Sequence, residues 1–398
     1  MCDSQSQHPR TGILRAGLSP SRVAAFVAAF VVALACVLPA AAQTGGAGRS
    51  TFSGVFEASG MVQRYASDEG GAVHETSAPF GVAVRHASGV GLSVRGLYAS
   101  AGGDELATLS GLADVQVGAS YRRRVGGAAV EAALGASAPG RGSTLAGIEF
   151  ATAAAIAFDD YAFEVTTLGQ GSTVSPALTV VVPAGRGLAL GAGVAYYARG
   201  AFVPFDGDEA EYSPADEIVL TGGLTAQIGR ASTFALDANL VTYGDDEFGG
   251  QSFSPGNRLT GTARWAWGGG PVRGRFLARY RHVFDGVVAA ESRPVVYQRP
   301  EHAMLAAGLG VVQSGVGFEV TAGARYYGII ERSDTTLDLI NVLGEQQVLI
   351  DLGASPSVEV MPGARLQGVF TYTFGVAEAA GASALSGFRA GGGVRVAF

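Results

Sequence analysis

The sequence predicts an all-β chain that closes on itself as an antiparallel transmembrane β-barrel of about eighteen strands, with sixteen as the alternative count. Three observations carry that prediction. Apolar and polar residues alternate with period 2 through most of the chain beyond residue 50, the pattern of strands whose two faces meet unlike surroundings. The connections between these runs alternate between short turns and longer loops. The chain also stops on such a strand: in Phe388–Phe398, FRAGGGVRVAF, the set Phe388, Ala390, Gly392, Val394, Val396 and Phe398 is apolar or small, and the other set carries Arg389 and Arg395.

Residues 1–42 read as a cleaved secretory leader. Arg10, Arg15 and Arg22 precede the apolar run Val23–Leu38, and Ala40-Ala41-Ala42 supplies a small-residue cleavage site before Gln43. The run is short for a bilayer core, which takes about 20 residues. Ala33-Leu34-Ala35 before Cys36 fits a lipid-attachment box poorly. Both cysteines, Cys2 and Cys36, fall in this leader, so the expected mature chain, 43–398, has no disulfide and no thiolate metal site.

Composition narrows the remainder to one domain. Nothing in 43–398 resembles a linker. Glycine is abundant, at 60 residues, and charged residues make up only 15%. No later apolar run is long enough for a spanning helix. Lysine is absent and all 27 basic residues are arginine, which excludes P-loop, Schiff-base and Ser-x-x-Lys chemistry. The net charge of −7 argues against a nucleic-acid partner.

Taken in order, the expected strands begin with Thr51–Tyr65, followed by a polar loop through Pro79, and then Phe80–His86 and Gly91–Ser100 around a turn at Ser88-Gly89. Gly111–Arg122 sets Ala113, Val115, Val117, Ala119 and Tyr121 against Asp114, Gln116, Ser120 and Arg122, and turns at Val125–Gly127 into Ala128–Ser137. Further turns are read at Asp159-Asp160, Pro183–Gly187, Gly229–Ser232, Gly268–Pro271, Ser314-Gly315 and Pro362-Gly363. Longer loops are read at 138–144, 169–175, 202–215, 244–256, 285–302, 331–346 and 377–387. Glu217–Ile228 and Gln347–Val360 alternate most cleanly.

A soluble sandwich alternates too, but eighteen strands without a helix or a domain break would be unusual for one. Closure also removes the unpaired edges that lipid cannot satisfy. With its leader, its alternating strands and its terminal Phe398, the chain resembles bacterial outer-membrane β-barrels. That resemblance implies short periplasmic turns, longer outer loops and integration in the outer membrane. It also implies two partners, the surrounding lipid and a barrel-assembly machinery that reads Phe398 as an assembly signal.

The hairpin Asn257–Phe284 is the most informative stretch. Arg273, Arg275, Arg279 and Arg281 alternate with Val272, Gly274, Phe276, Ala278 and Tyr280, while Arg258 and Arg264 share a face of the preceding strand opposite Leu259, Ala263, Trp265 and Trp267. On a lipid face each arginine would cost roughly 2–4 kcal/mol near the midplane. Together that rivals the roughly 5–15 kcal/mol stability of a whole domain. The six are therefore expected to line a wet lumen, with Trp265 and Trp267 as lipid-interface aromatics near the short turn. Inward carboxylates are expected at Asp114, Glu131, Glu149 and Glu164, on strands four to seven, roughly across the pore. Two arrangements follow: a transverse field between a basic and an acidic wall, or charges paired with near neighbours, as with Glu319 and Arg325 on one strand.

Other candidates are weaker. The acidic stretch 202–217, with Asp206, Asp208, Glu209, Glu211 and Asp216, does not fit EF-hand spacing. His74, His86, His282 and His302 lie far apart, and neither G-x-S-x-G nor H-E-x-x-H occurs, so no metal, cofactor or enzymatic role is expected. Residues 338–343, DLINVL, are apolar enough either to fold inward or to extend neighbouring strands.

The expected function is a porin-like channel for passive diffusion of small polar solutes, since barrels of this size leave an aqueous lumen unless something fills it. About eight residues precede the first strand, too few for a large N-terminal plug. The alternatives are a carrier of hydrophobic compounds, similar in size to the long-chain fatty-acid transporter family but without room for its N-terminal hatch, and a non-transporting surface barrel whose loops fill the lumen.

Overall fold

The computed structural model describes residues 51–68, 71–104, 106–140, 144–157, 163, 171–207, 210–284, 286–289, 294–297, 301–328, 346–378 and 382–398. The expected leader 1–42, the turn at Asp159-Asp160, Glu164, Asp208, Glu209 and the stretch 338–343 lie outside the described residues.

The first part of the wall is β1 (Phe52–Ser67), β2 (Gly71–His86), β3 (Val90–Gly103), β4 (Leu109–Leu112), β5 (Val115–Val125) and β6 (Ala128–Ala138). An α-helix, α1 (Phe150–Ala157), precedes β7 (Thr173–Gly185) and β8 (Leu188–Arg199). There follow β9 (Tyr212–Ser213), β10 (Glu217–Ile228), β11 (Ser232–Tyr243), β12 (Asp246–Phe248), β13 (Gln251–Ser254), β14 (Arg258–Gly269) and β15 (Val272–Val283). The chain ends with β16 (Gly286–Ala289), β17 (Pro294–Tyr297), β18 (Glu301–Gln313), β19 (Val316–Gly328), β20 (Gln346–Met361), β21 (Ala364–Glu378) and β22 (Ala382–Ala397).

Neighbours along the chain pair antiparallel, and β22 pairs with β1 from Val55↔Ala397 to Ser67↔Leu385, closing a barrel of sixteen strands. At the seam the backbones of Gly54 and Phe398 exchange hydrogen bonds of 2.7 and 3.0 Å, so the terminal residue completes the ladder. β4 and β5 occupy one wall position, both pairing with β3 and separated by an irregularity at Ala113-Asp114. Short β9, β12, β13, β16 and β17 make a separate five-stranded sheet from the long connections. The two-residue turn of the β18–β19 hairpin has positive φ at both Ser314 (52°) and Gly315 (81°), the twist that such hairpins favour.

The two faces of the wall are chemically distinct. Leu92, Leu134, Val194, Leu220, Leu236, Leu305, Phe318, Leu352 and Phe370 all stand exposed on the outward set. In water such a continuous apolar belt would be a large liability; in lipid it is the required surface. The inward set carries Glu57, Gln63, Glu75, Arg95, Glu131, Asp237, Glu319, Asp351 and Arg389, fixed there by register across adjacent strands.

The strand count is the lower of the two expected, and the reason is local. The expected hairpin between β6 and β7 is replaced by a single-turn helix at Gly147–Glu149 running into α1, FATAAAIA. Alanine is the strongest helix former, and a run of small apolar residues has no strict period 2 to hold it in a sheet. Its anchors are specific. Thr152 Oγ1 donates to the Ala107 carbonyl at 2.6 Å. Ile156 and Phe163, 1% and 5% exposed, join one buried cluster with Tyr65, Ala99, Ala101 and Leu109, all on the inward faces of β1, β3 and β4. The described part of the connection between β6 and β7, α1 with Ile156 and the separate Phe163, therefore packs inside the lumen against that wall.

Candidate functional site

The β14–β15 hairpin keeps the register its alternation implies: Arg258, Thr260, Thr262 and Arg264 face Arg281, Arg279 and their neighbours on one side of the sheet, with Trp265 and Trp267 on the other. Arg264, Arg275, Arg279 and Arg281 line a lumen cavity of about 660 Å³. Arg325 from β19, Arg389 from β22 and His302 from β18 line the same cavity, which Tyr65 and Phe163 close on the side of the inward-folded connection. Arg273 lines a smaller space of about 390 Å³ beside the short turn. Arg258 stands at the opposite end of its strand, in register with Val241 and Val283.

Several of these guanidinium groups are held by carboxylates of nearby strands, adjacent for Arg264 and Arg325 and one strand further, beyond β18, for Arg275. Arg264 pairs with Asp237. Arg275 Nε lies 2.6 Å from Glu319 Oε1. Arg325 donates through Nε and a terminal nitrogen to both oxygens of Asp351, at 2.9 and 3.1 Å, and Thr373 Oγ1 donates to the same carboxylate at 2.6 Å. The expected pairing of Glu319 with Arg325 along one strand is thus corrected. Residues six apart on a strand lie about 20 Å from each other, whereas partners on adjacent strands lie within about 5.5 Å.

The expected acidic residues are placed as follows. Asp114 sits in the irregularity between β4 and β5 and borders a space of about 670 Å³ shared with Glu57, Arg95 and Arg395. Glu131 lies on β6, 3.4 Å from Arg85. Glu149 is corrected from a barrel strand to the single-turn helix, where its Oε2 accepts from the Ala146 N–H at 2.9 Å. Glu57 pairs with Arg395 at 3.1 Å. The arc across from the arginines therefore carries both signs among the described residues: Glu131 stands near Arg85, which lies two intervening strands away on β2, and Glu57 beside Arg395 of the adjoining β22.

Trp265 and Trp267 lie on the outward face close to the short turn, their ring centroids 4.7 Å apart, with Trp265 Nε1 donating to Ser232 Oγ at 2.7 Å. Phe398 is 40% exposed at the seam. In the acidic stretch, Asp216 accepts from the Tyr196 hydroxyl and from the Arg199 N–H, and Glu217 pairs with Arg199 at 3.0 Å. Neighbouring connections share an aromatic cluster in which Phe205 packs on Phe150 and Phe248, and Tyr212 on Phe202, Phe248 and Phe253. Backbone hydrogen bonds from Leu145 to Pro204 and from Asp206 to Leu145, both 2.8 Å, tie the inward-folded connection to this cluster.

Sequence reasoning placed Arg325 among the lumen charges only as a partner of Glu319, and did not single out Arg389, His302, Tyr65 or Phe163 as cavity residues. Arg389 was readable from its place on the polar set of the last strand. Phe163 was not, because no periodicity announces a loop that turns inward.

A closed sixteen-strand wall with an apolar belt outside and charges within defines a transmembrane β-barrel of the outer-membrane kind. No family model matches the sequence, and no curated protein matches it. Solved structures similar to it include a bacterial polysaccharide outer membrane secretin, at 8% identity over 88% of this chain and all of that one, with TM-score 0.46. OmpT of Vibrio cholerae, with its loop L8 deleted, is similar at 10% identity over 88% of this chain and all of that one, TM-score 0.40. OccD1 (OprD) is similar at 11% identity over 87% and 96% of the two chains, TM-score 0.42.

Proposed function

We propose that this protein is an outer-membrane porin-like channel for passive diffusion of small polar solutes, with a preference for anions. The observation that carries the reading is the lumen cavity lined by Arg264, Arg275, Arg279, Arg281, Arg325 and Arg389. Fixed positive charge on the wall of a narrow aqueous path lowers the energy of an entering anion and raises that of a cation. Arg264, Arg275 and Arg325 each have a carboxylate partner close by, which holds these side chains in place across the path. In this reading the partners are outer-membrane lipid, the barrel-assembly machinery acting on Phe398, and the solutes themselves; no enzymatic step is involved.

One observation favours a second reading. The connection between β6 and β7 packs apolar residues into the lumen, as a carrier of hydrophobic compounds or a non-conducting surface barrel would.

Single-channel recording of refolded protein in a planar bilayer, with reversal potentials under a potassium chloride gradient, separates the two. The first reading expects steady conductance with chloride favoured, most strongly at low salt because screening shortens the reach of the wall charges to about 10 Å at 0.1 M. Joint replacement Arg275→Ser and Arg279→Ser shifts the reversal potential toward cations. Absence of conductance overturns the channel reading and leaves the second.

A further inference from the structure

The arginine cavity has a second side of different chemistry. Tyr65 and Phe163 meet edge to face there, with ring centroids 5.4 Å apart. Leu277 on β15 and Met304 on β18 add apolar surface to the same cavity. A simple hydrated ion gains nothing from such a surface, since apolar groups replace none of its water. A solute with an anionic head and an apolar body gains from both sides at once. The volume, about 660 Å³, lies inside the roughly 300–1,000 Å³ range of small-molecule sites, which are mostly apolar with a few well-placed polar groups.

We propose that this cavity is a binding site for small organic carboxylates with an apolar body, of the aryl or branched-alkyl class. The carboxylate meets the guanidinium groups that line the cavity. Planar two-donor geometry suits arginine to this task better than any other side chain. Arg389 is the primary anchor: it stands on a rigid strand facing the cavity and, among the described residues, has no ion-pair partner of its own. Arg325 is held by both oxygens of Asp351, which also accepts from Thr373, and keeps the adjoining wall in one geometry. The body of the solute packs on Phe163, Tyr65, Leu277 and Met304. Phe163, on this account, selects solutes by the apolar surface it brings to the cavity together with Tyr65. The inference deepens the channel reading and rests on it only in that the solute must reach the lumen.

The test is calorimetric titration of the folded, detergent-solubilised protein with sodium benzoate, sodium acetate and benzyl alcohol. Benzoate is expected to bind saturably, with acetate and the neutral alcohol each weaker by about tenfold or more, the ring and the charge each contributing a share. Arg389→Ser weakens benzoate binding. Phe163→Ala removes the difference between benzoate and acetate; Leu277→Ser makes the same comparison from the wall if the first variant fails to show the heat-dependent gel migration of a folded barrel. Benzoate binding no tighter than acetate, or unchanged by Arg389→Ser, overturns the proposal. Bilayer recordings on the same preparation keep the two readings apart. A protein that passes anions but does not discriminate benzoate sinks the site alone. One that binds benzoate and passes no current sinks the channel alone.

Discussion

Arg325 and Asp351 face each other across the β19–β20 pair with both carboxylate oxygens engaged, at 2.9 and 3.1 Å, and Thr373 on β21 closes the arrangement from the other side at 2.6 Å. Arg325 is only 7% exposed, and the Asp351 carboxylate, itself oriented by the Thr373 hydroxyl, supplies a compensating charge beside it. Three neighbouring strands are thereby tied together within the lumen, on the wall of the arginine cavity.

Replacing Asp351 with Asn keeps the shape and removes the compensating charge. A largely buried guanidinium left without its carboxylate destabilises by about 2 kcal/mol, less than the roughly 3–5 kcal/mol of a dry interior because this site borders water. The urea midpoint, read as the loss of the folded band on an unheated gel, is expected to fall. The reversal potential is expected to move further toward anions, since the cavity loses one negative charge. An unchanged midpoint would show that Arg325 finds other compensation.

The two faces of the wall predict opposite responses to the same substitution. Leu236 points outward near the middle of β11 and is 44% exposed; Asn239, three residues on, points inward. Leu236→Arg is expected to cost about 2–4 kcal/mol in lipid vesicles, whereas Asn239→Arg changes selectivity and leaves folding near that of the parent. Equal stability of the two variants would contradict the assignment of the faces.

Ile156 anchors α1 in the lumen cluster and is 1% exposed. Ile156→Ser removes most of its apolar contact and places a hydroxyl in the cluster, a loss of about 2–4 kcal/mol at that contact. The strands do not depend on it, so gel migration of the folded barrel is expected to persist. Single-channel records are expected to become noisier, with a larger mean conductance, as the connection leaves the wall. Quiet traces of unchanged amplitude would mean that the connection does not limit the path.

Much of this architecture is legible in the residues, and the limits have physical causes. The β14–β15 hairpin is readable because lipid rejects arginine: six charges on one face of two strands leave a single orientation open to them. Phe388–Phe398 is readable for the same reason, and its register against β1 keeps Arg389 and Arg395 inward. The stretch FATAAAIA is different. Small apolar residues suit a lipid-facing strand and a packed helix equally, and what decides between them is the apolar surface offered by Tyr65, Ala99, Ala101 and Leu109, which no local pattern reveals. The ion pairs are hidden likewise: Arg275 and Glu319 lie 44 residues apart in sequence, and only the order of the strands makes them neighbours.

By itself the sequence determined a lipid-facing barrel with a charged interior, because alternation on a strand is a local property and the penalty for charge in lipid exceeds anything else acting on these residues. The tertiary structure alone decided that sixteen strands close the wall, which carboxylate holds which arginine, and that Phe163 meets Tyr65 at the cavity the arginines line. Each of those depends on closure, which brings distant strands together and gives one connection an apolar wall to fold against.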